Sequence, residues 1–240
     1  MKPIVGIVTR PDLESEKFPV SCIYEDYRIS IRKSGGVPIG ICHSDLDYLH
    51  DKAPSKTQEL TEEQEDIIKS QIDLCDAIVF QGGDTWHHYD VFCLKYALEK
   101  DIPILGICLG MQMMANYVSN EYPIDDKTVK INSDIKHKQS GVKYAHDVIL
   151  KGNSKLAGIF NKTKIQVNSS HNYKILDNDS ITTGYGSDGT AEAIEIPGKN
   201  FAIGVQWHPE KMYDYDENSR LLFKHFIDAA EDYSNKKEIK

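Results

Sequence analysis

Residues 102–112, Ile-Pro-Ile-Leu-Gly-Ile-Cys-Leu-Gly-Met-Gln, constrain the fold more than any other segment of this chain. The apolar run is of strand length, and it ends in Gly106-Ile107-Cys108-Leu109-Gly110 before a helical pattern over Met111 to Val118. A strand that turns this sharply into a helix holds the residue at the turn in a strained conformation. It also requires small neighbours, which Gly106 and Gly110 supply. Cys108 is thereby presented at the carboxyl end of a sheet and at a helix N-terminus, where unpaired N–H groups favour a thiolate.

Other short β-branched runs, Ile4 to Val8, Val37 to Ile41 and Ala77 to Phe80, alternate with helical patterns. This alternation predicts an α/β fold, doubly wound, with a mostly parallel sheet and helices on both faces. Tyr24 to Lys33 reads as a helix ending at Gly35-Gly36, and Thr61-Glu62-Glu63-Gln64 is a capping box opening a helix that runs to about Leu74. The polar stretch His43 to Glu59 is expected to be a surface loop. After about Lys143 the pattern turns strand-rich, with Asp147 to Leu150, Lys164 to Val167, Ala191 to Ile196 and Phe201 to Val205 before a closing helix from about Ser219 to Ala230. The expectation is one domain over 1–230 followed by a charged, frayed tail, 231–240.

A formal net charge of −9 disfavours nucleic acid and anionic membranes, both of which need clustered Lys and Arg. The N-terminal apolar run is too short for a signal peptide or membrane span, so a cytoplasmic protein is expected and the triplets at Asn161 and Asn168 are not read as glycosylated. Five cysteines without a CxxC pair signal neither disulfides nor a zinc ribbon. Cys22, Cys42, Cys75 and Cys93 read as structural, which leaves Cys108 as the reactive candidate.

A nucleophile of this kind needs a base. Phe201 to Gln206 is an apolar strand that runs into Trp207-His208-Pro209-Glu210. Residues two apart in an extended chain point to one side, and the residue before a proline is pushed towards extended geometry, so His208 and Glu210 are expected to face the nucleophile together. The imidazole would take the thiol proton while the carboxylate orients it. The remaining histidines, among them His87 and His88, lack metal-ligand spacing. They are expected to be solvated or locally hydrogen-bonded, with no metal site.

The segments Gly106 to Gln112 and Gly204 to Glu210 resemble the two signatures of class I glutamine amidotransferase domains, and Val79-Phe80-Gln81-Gly82-Gly83-Asp84 is similar to that family's third. Within the superfamily, Tyr144 to Val148 with His146, Val167 to His171 and Asp188 to Glu195 resemble the γ-glutamyl hydrolase branch that includes γ-glutamyl-γ-aminobutyrate hydrolase. The resemblance runs from about Ile4 to the final helix. It implies a flavodoxin-like domain that cleaves γ-glutamyl amides without a cofactor, through a Cys108, His208, Glu210 triad. It also implies an oxyanion hole from the backbone of Gly83 and Leu109, and substrate contacts from Gly82, Gln112, Ser169, Ser170 and His171.

The chain departs from the γ-aminobutyrate enzymes at Leu109, where they carry Arg, at Trp86 to Tyr89, and at Asn120 to Pro123. Leu109 and Met111 are common in ammonia-delivering amidotransferases, which keeps a rival reading open: a glutaminase subunit serving a separate synthase partner. A homodimer is the base-rate expectation for assembly.

Overall fold

The computed structural model describes residues 1–13, 19–43, 60–119, 128–139 and 141–238. Residues 44–59 of the expected surface loop, and Asn120 to Pro123, lie outside them. The chain opens with β1 (Ile4–Val8), the antiparallel pair β2 (Arg10–Leu13) and β3 (Pro19–Cys22), helix α1 (Glu25–Lys33) and β4 (Val37–Ile41). Next come α2 (Glu62–Asp73), β5 (Ala77–Phe80), α3 (His88–Glu99), β6 (Ile104–Ile107) and α4 (Leu109–Val118). The second half comprises β7 (Thr128–Lys130), β8 (His146–Leu150), α5 (Lys155–Phe160), β9 (Lys164–Val167), β10 (Tyr173–Ile175), β11 (Thr182–Gly186), β12 (Ala191–Glu195) and β13 (Ala202–Val205). A 3-10 turn at Pro209–Lys211 and the long helix α6 (Glu217–Glu238) close the chain.

Among the described residues the main sheet has nine strands in the order β4-β1-β5-β6-β13-β12-β11-β8-β9. Neighbours from β4 to β13 pair in parallel, and those from β13 to β9 pair antiparallel. The fold is thus the α/β class the sequence predicts, with its strand-rich second half forming the antiparallel side. The crossovers bury both faces of the parallel half. In β5, Ala77 and Val79 join a core with Tyr27, Ile31, Phe223 and Phe226 from α1 and α6. Ile78 and Phe80 join the opposite core with residues of α2, α3 and α4.

The capping box of α2 forms as expected, with Gln64 N–H donating to Thr61 Oγ1 at 3.3 Å and Thr61 N–H to Gln64 Oε1 at 2.9 Å. Such a cap stabilises by about 1 kcal/mol. Ile68 and Ile72, one turn apart and fully buried, contribute about 1.5–3 kcal/mol each, so packing holds this helix and the cap sets where it starts. The closing helix runs eight residues past the expected end at Ala230, to Glu238. Lys237 Nζ bonds the carbonyls of Asp73 and Cys75, which anchors a segment that composition alone marks as frayed. No helix among the described residues is long and apolar enough to cross a membrane.

Candidate active site

Cys108 sits between β6 and α4 with φ 53° and ψ −103°, a region that non-glycine residues rarely enter. Its N–H donates to Val205 O at 2.8 Å, and its carbonyl accepts from Gln112 N–H at 3.1 Å. The strained residue is therefore tied to β13 on one side and to the first turn of α4 on the other, which is the over-determination that lets strain persist. The flanking glycines serve close packing. A β-carbon on Gly106 would lie 2.4 Å from Met114 Sδ, and one on Gly110 would lie 2.4 Å from Phe80 O.

His208 follows β13 and stands beside this elbow. Its Nδ1 is 2.7 Å from Glu210 Oε1, and both residues are buried. The route differs from the extended strand expected from the sequence: Pro209–Lys211 is a 3-10 turn, and it curls Glu210 back beneath the imidazole. With Nδ1–H donated to the carboxylate, the other edge of the ring is left for the Cys108 thiol, with which it also pairs. Burial pushes the imidazolium down, but the Glu210 charge and the bonds to Cys108 and Glu210 outweigh it and raise His208 to about 10.

The opposite wall is the turn after β5. A β-carbon on Gly82 would fall 2.9 Å from His208 Cε1 and 3.6 Å from Cys108 Cβ, so this glycine leaves open the gap beside nucleophile and base. Gly82 N–H donates at 2.9 Å to the hydroxyl of Tyr27, which is buried on α1 and lies near Glu210. Gly83 is exposed beside Leu109, whose Cδ2 would meet its β-carbon at 3.1 Å. Arg10, just past β1, runs behind Gly83, pairs with buried Asp90 and donates from Nη1 to Thr85 O at 3.3 Å. Gln81 ties the base of the turn to its neighbours, accepting from Tyr24 N–H at 2.9 Å and donating to Val8 O at 2.9 Å.

The structure thus brings Cys108, His208, Glu210, Gly82, Gly83 and Leu109 together. Of the other expected substrate contacts, Gln112, Ser169 and His171 have polar partners within the chain. Gln112 donates through Nε2 to Tyr173 O at 3.1 Å and to Gln206 Oε1 at 3.0 Å. Ser169 Oγ donates to His137 O at 2.6 Å, Ser170 is exposed, and His171 turns into a buried group with His137, His146 and Glu192. The expectation that the remaining histidines are solvated or only locally bonded therefore fails for His137 and His146. Tertiary packing gathers them from separate elements, and no short spacing could reveal it.

Three positioning groups escape a reading of the sequence: Tyr27, the Arg10–Asp90 pair, and Asn168. Asn168 lies inside the Val167 to His171 segment, so the sequence marks its place but not its role. The other two carry no local pattern.

The peptidase C26 family model matches residues 84–210, more than half of the chain and the stretch that holds Cys108, His208 and Glu210. A glutamine amidotransferase-like protein of Rickettsia prowazekii is 28% identical, across 95% of this chain and 98% of its own length. CTP synthase of Porphyromonas gingivalis is 32% identical across 58% of this chain, which spans only 31% of that enzyme. Among solved structures, a GMP synthase protein of Thermoplasma acidophilum superposes with TM-score 0.63 at 17% identity, covering 98% of both chains. The CTPS glutaminase domain of Trypanosoma brucei gives TM-score 0.63 at 17% identity over 96% of this chain and 94% of its own. At that identity the two structures speak for the fold alone, while the family match, which takes in the elbow and ends at the His-Pro-Glu turn, makes this chain a member of the class I glutamine amidotransferase-like peptidase C26 family.

Proposed function

We propose that the chain is a cysteine-dependent amidase that hydrolyses the γ-glutamyl amide bond of a small γ-glutamyl compound. The carrying observation is the positive-φ Cys108 elbow beside a His208 whose Nδ1 lies 2.7 Å from Glu210 Oε1. The Cys108 thiolate attacks the γ-carbonyl carbon, and the oxyanion is received by the N–H groups of Gly83 and Leu109. His208 passes its proton to the leaving amine as the C–N bond breaks, which leaves a γ-glutamyl thioester. It then takes a proton from water as hydroxide adds to the thioester carbonyl. Collapse of that adduct expels the Cys108 sulfur and frees glutamate. Glu210 keeps the imidazole in the right tautomer throughout. Gly82 supports this reading, since its missing side chain leaves space for a carbonyl beside both groups.

A second reading is a glutaminase that delivers ammonia to a synthase. It is favoured by the similarity to CTP synthase. The test compares kcat/KM for free glutamine and for a panel of γ-glutamyl amides, with the purified chain alone and with Cys108→Ala. Faster turnover of an amide than of glutamine, abolished in Cys108→Ala, supports the hydrolase. Weak glutaminase activity, no turnover of any amide and strong stimulation by a co-purifying protein would select the synthase partner instead.

A further inference from the structure

His137, His146, His171 and Glu192 meet in the antiparallel half of the molecule, each buried, with one ligand atom apiece lying within 4.8 Å of all the others. They come from four places: the segment before residue 139, β8, the turn after β9, and β12. The ring centroids of His146 and His171 are 4.7 and 4.9 Å from that of His137.

His146 Nδ1 is 3.2 Å from Asp147 O and His171 Nδ1 is 3.0 Å from Tyr173 O. A carbonyl can only accept, so both rings carry their proton on Nδ1 and turn the Nε2 lone pair inward. His137 is reversed. Its Nε2 is 3.0 Å from Asp188 Oδ2, and Asp188 is itself held by the N–H and hydroxyl of Thr190, so the inward atom is Nδ1. The three inward nitrogens lie 3.2, 3.5 and 3.5 Å from Glu192 Oε1. None of them, nor either Glu192 oxygen, makes a hydrogen bond of acceptable geometry. With the three rings neutral, three inward lone pairs face a fully buried carboxylate, an arrangement that a cation between them satisfies. Against the burial that opposes it, the carboxylates of Glu192 and Asp188 hold His137 above the ordinary histidine range, and they also draw positive charge to this point.

We propose that this cluster is a structural metal site for a divalent first-row transition ion, zinc in the first instance, coordinated by His137 Nδ1, His146 Nε2, His171 Nε2 and Glu192. Ligand atoms at 2.0–2.1 Å from a tetrahedral zinc stand about 3.3–3.4 Å apart, which the separations from Glu192 Oε1 bracket. Each imidazole already has the outer hydrogen bond that fixes a ligating tautomer: one carboxylate and two backbone carbonyls. Four protein ligands fill a tetrahedron, so the ion holds structure and leaves no open position for substrate.

The site is coupled to the candidate active site without touching it. His171 is three residues from Asn168, which bonds the backbone of His208, and Glu192 O accepts from Gln206 N–H at 2.8 Å, two residues before His208. The ion would clamp the turn that steadies the base.

The test is metal content and spectroscopy of the full chain, with Zn2+ and Co2+ as the probes. One Zn2+ per chain should survive dialysis. Chelation should lower Tm and added Zn2+ should restore it. Co2+ in its place should show the intense visible bands of a four-coordinate ion. Cys108→Ser should keep the full stoichiometry, which separates this site from adventitious binding at the thiol. Glu192→Gln and His146→Gln, each checked for a native far-UV spectrum, should lose the ion or bind it at least about 10-fold more weakly. The wild-type chain needs no variant to decide the matter. If it folds yet retains under about one-tenth equivalent after Zn2+ exposure, and Co2+ keeps its aqueous spectrum, the cluster is a proton-balanced network and the proposal is overturned. Zinc lost in Cys108→Ser but kept in Glu192→Gln would overturn it equally.

Discussion

Asn168 pairs with both backbone polar groups of His208. Its Oδ1 accepts from the His208 N–H and its Nδ2 donates to the His208 carbonyl, each at 2.8 Å. The histidine is thereby held from the turn after β9 as well as from its own strand, and the position of the imidazole depends on a residue forty positions away. Asn168→Ala leaves a buried donor and acceptor unpaired, which costs about 1–3 kcal/mol. We expect a lower Tm and a fall in kcat larger than any rise in KM, because the substrate does not need this side chain but the base does. Unchanged turnover in a folded Asn168→Ala chain would show that β13 alone positions His208.

Tyr27 performs the same service for the other wall. Burial foremost, reinforced by the Glu210 charge, pushes its phenol well above the ordinary range, so the hydroxyl stays protonated at any working pH. It accepts the Gly82 N–H at 2.9 Å. Tyr27→Phe should destabilise the chain by about 1–3 kcal/mol through the orphaned N–H. It should also lower turnover, since the Gly82–Gly83 turn is freed to shift. Urea unfolding paired with kcat/KM on one γ-glutamyl amide measures both effects, and a Phe variant with native kinetics would remove Tyr27 from the positioning set.

Gly82 offers a sharper steric test. An alanine β-carbon would sit 2.9 Å from His208 Cε1, closer than such contacts tolerate, so the imidazole must move. A displacement near 1 Å of a catalytic group lowers the rate by about 100-fold. Gly82→Ala should therefore fold with a lowered Tm, since overpacking a buried site costs about 1–3 kcal/mol, while kcat/KM falls by that order. Retained activity would mean that the ring in the working enzyme lies elsewhere than beside Gly82.

What is legible in the sequence follows from how local each signal is. The elbow at Cys108 announces itself because strain, flanking glycines and strand-to-helix patterning all lie within a few residues. β1 and β5 match their apolar runs residue for residue, since a strand buried on both faces has to be apolar throughout. The edge strands β4 and β9 also match their expected bounds, β9 with exposed Lys164 and Gln166 alternating with buried Ile165 and Val167. β6 begins at Ile104, two residues after the apolar run starts, because Pro103 has no N–H to pair. The helix α3 is hidden: buried residues such as Tyr89, Val91, Cys93, Leu94, Ala97 and Leu98 spread around it and blur the amphipathic period. Glu210 reaches His208 as the sequence predicts but by another route, since a 3-10 turn, not an extended strand, carries it there. The meeting of His137, His146, His171 and Glu192 is beyond the reach of sequence, because tertiary packing of two strands, β8 and β12, and two connecting segments creates it.

The charge state of His208 ties the stability of the fold to pH. Burial alone would hold the imidazole neutral, but the Glu210 carboxylate at 2.7 Å, with Cys108 beside it, raises the folded value to about 10 against 6.5 for an ordinary histidine. The folded chain therefore keeps a proton that the unfolded chain releases between those two values. The resulting stabilisation is complete below pH 6.5 and is lost as pH climbs through about 10. Glu210→Gln removes the foremost raising influence and leaves the burial that opposes it. The midpoint should then drop towards or below the ordinary value, and the stability lost across that alkaline window should shrink with it. Ring carbon and nitrogen shifts of His208, followed by NMR from about pH 5 to 11, read the first effect, and urea unfolding at the same pH values reads the second. A wild-type midpoint near 6.5 that does not move in Glu210→Gln would mean that the carboxylate neither charges nor orients this base, and the proposed triad would lose its third member.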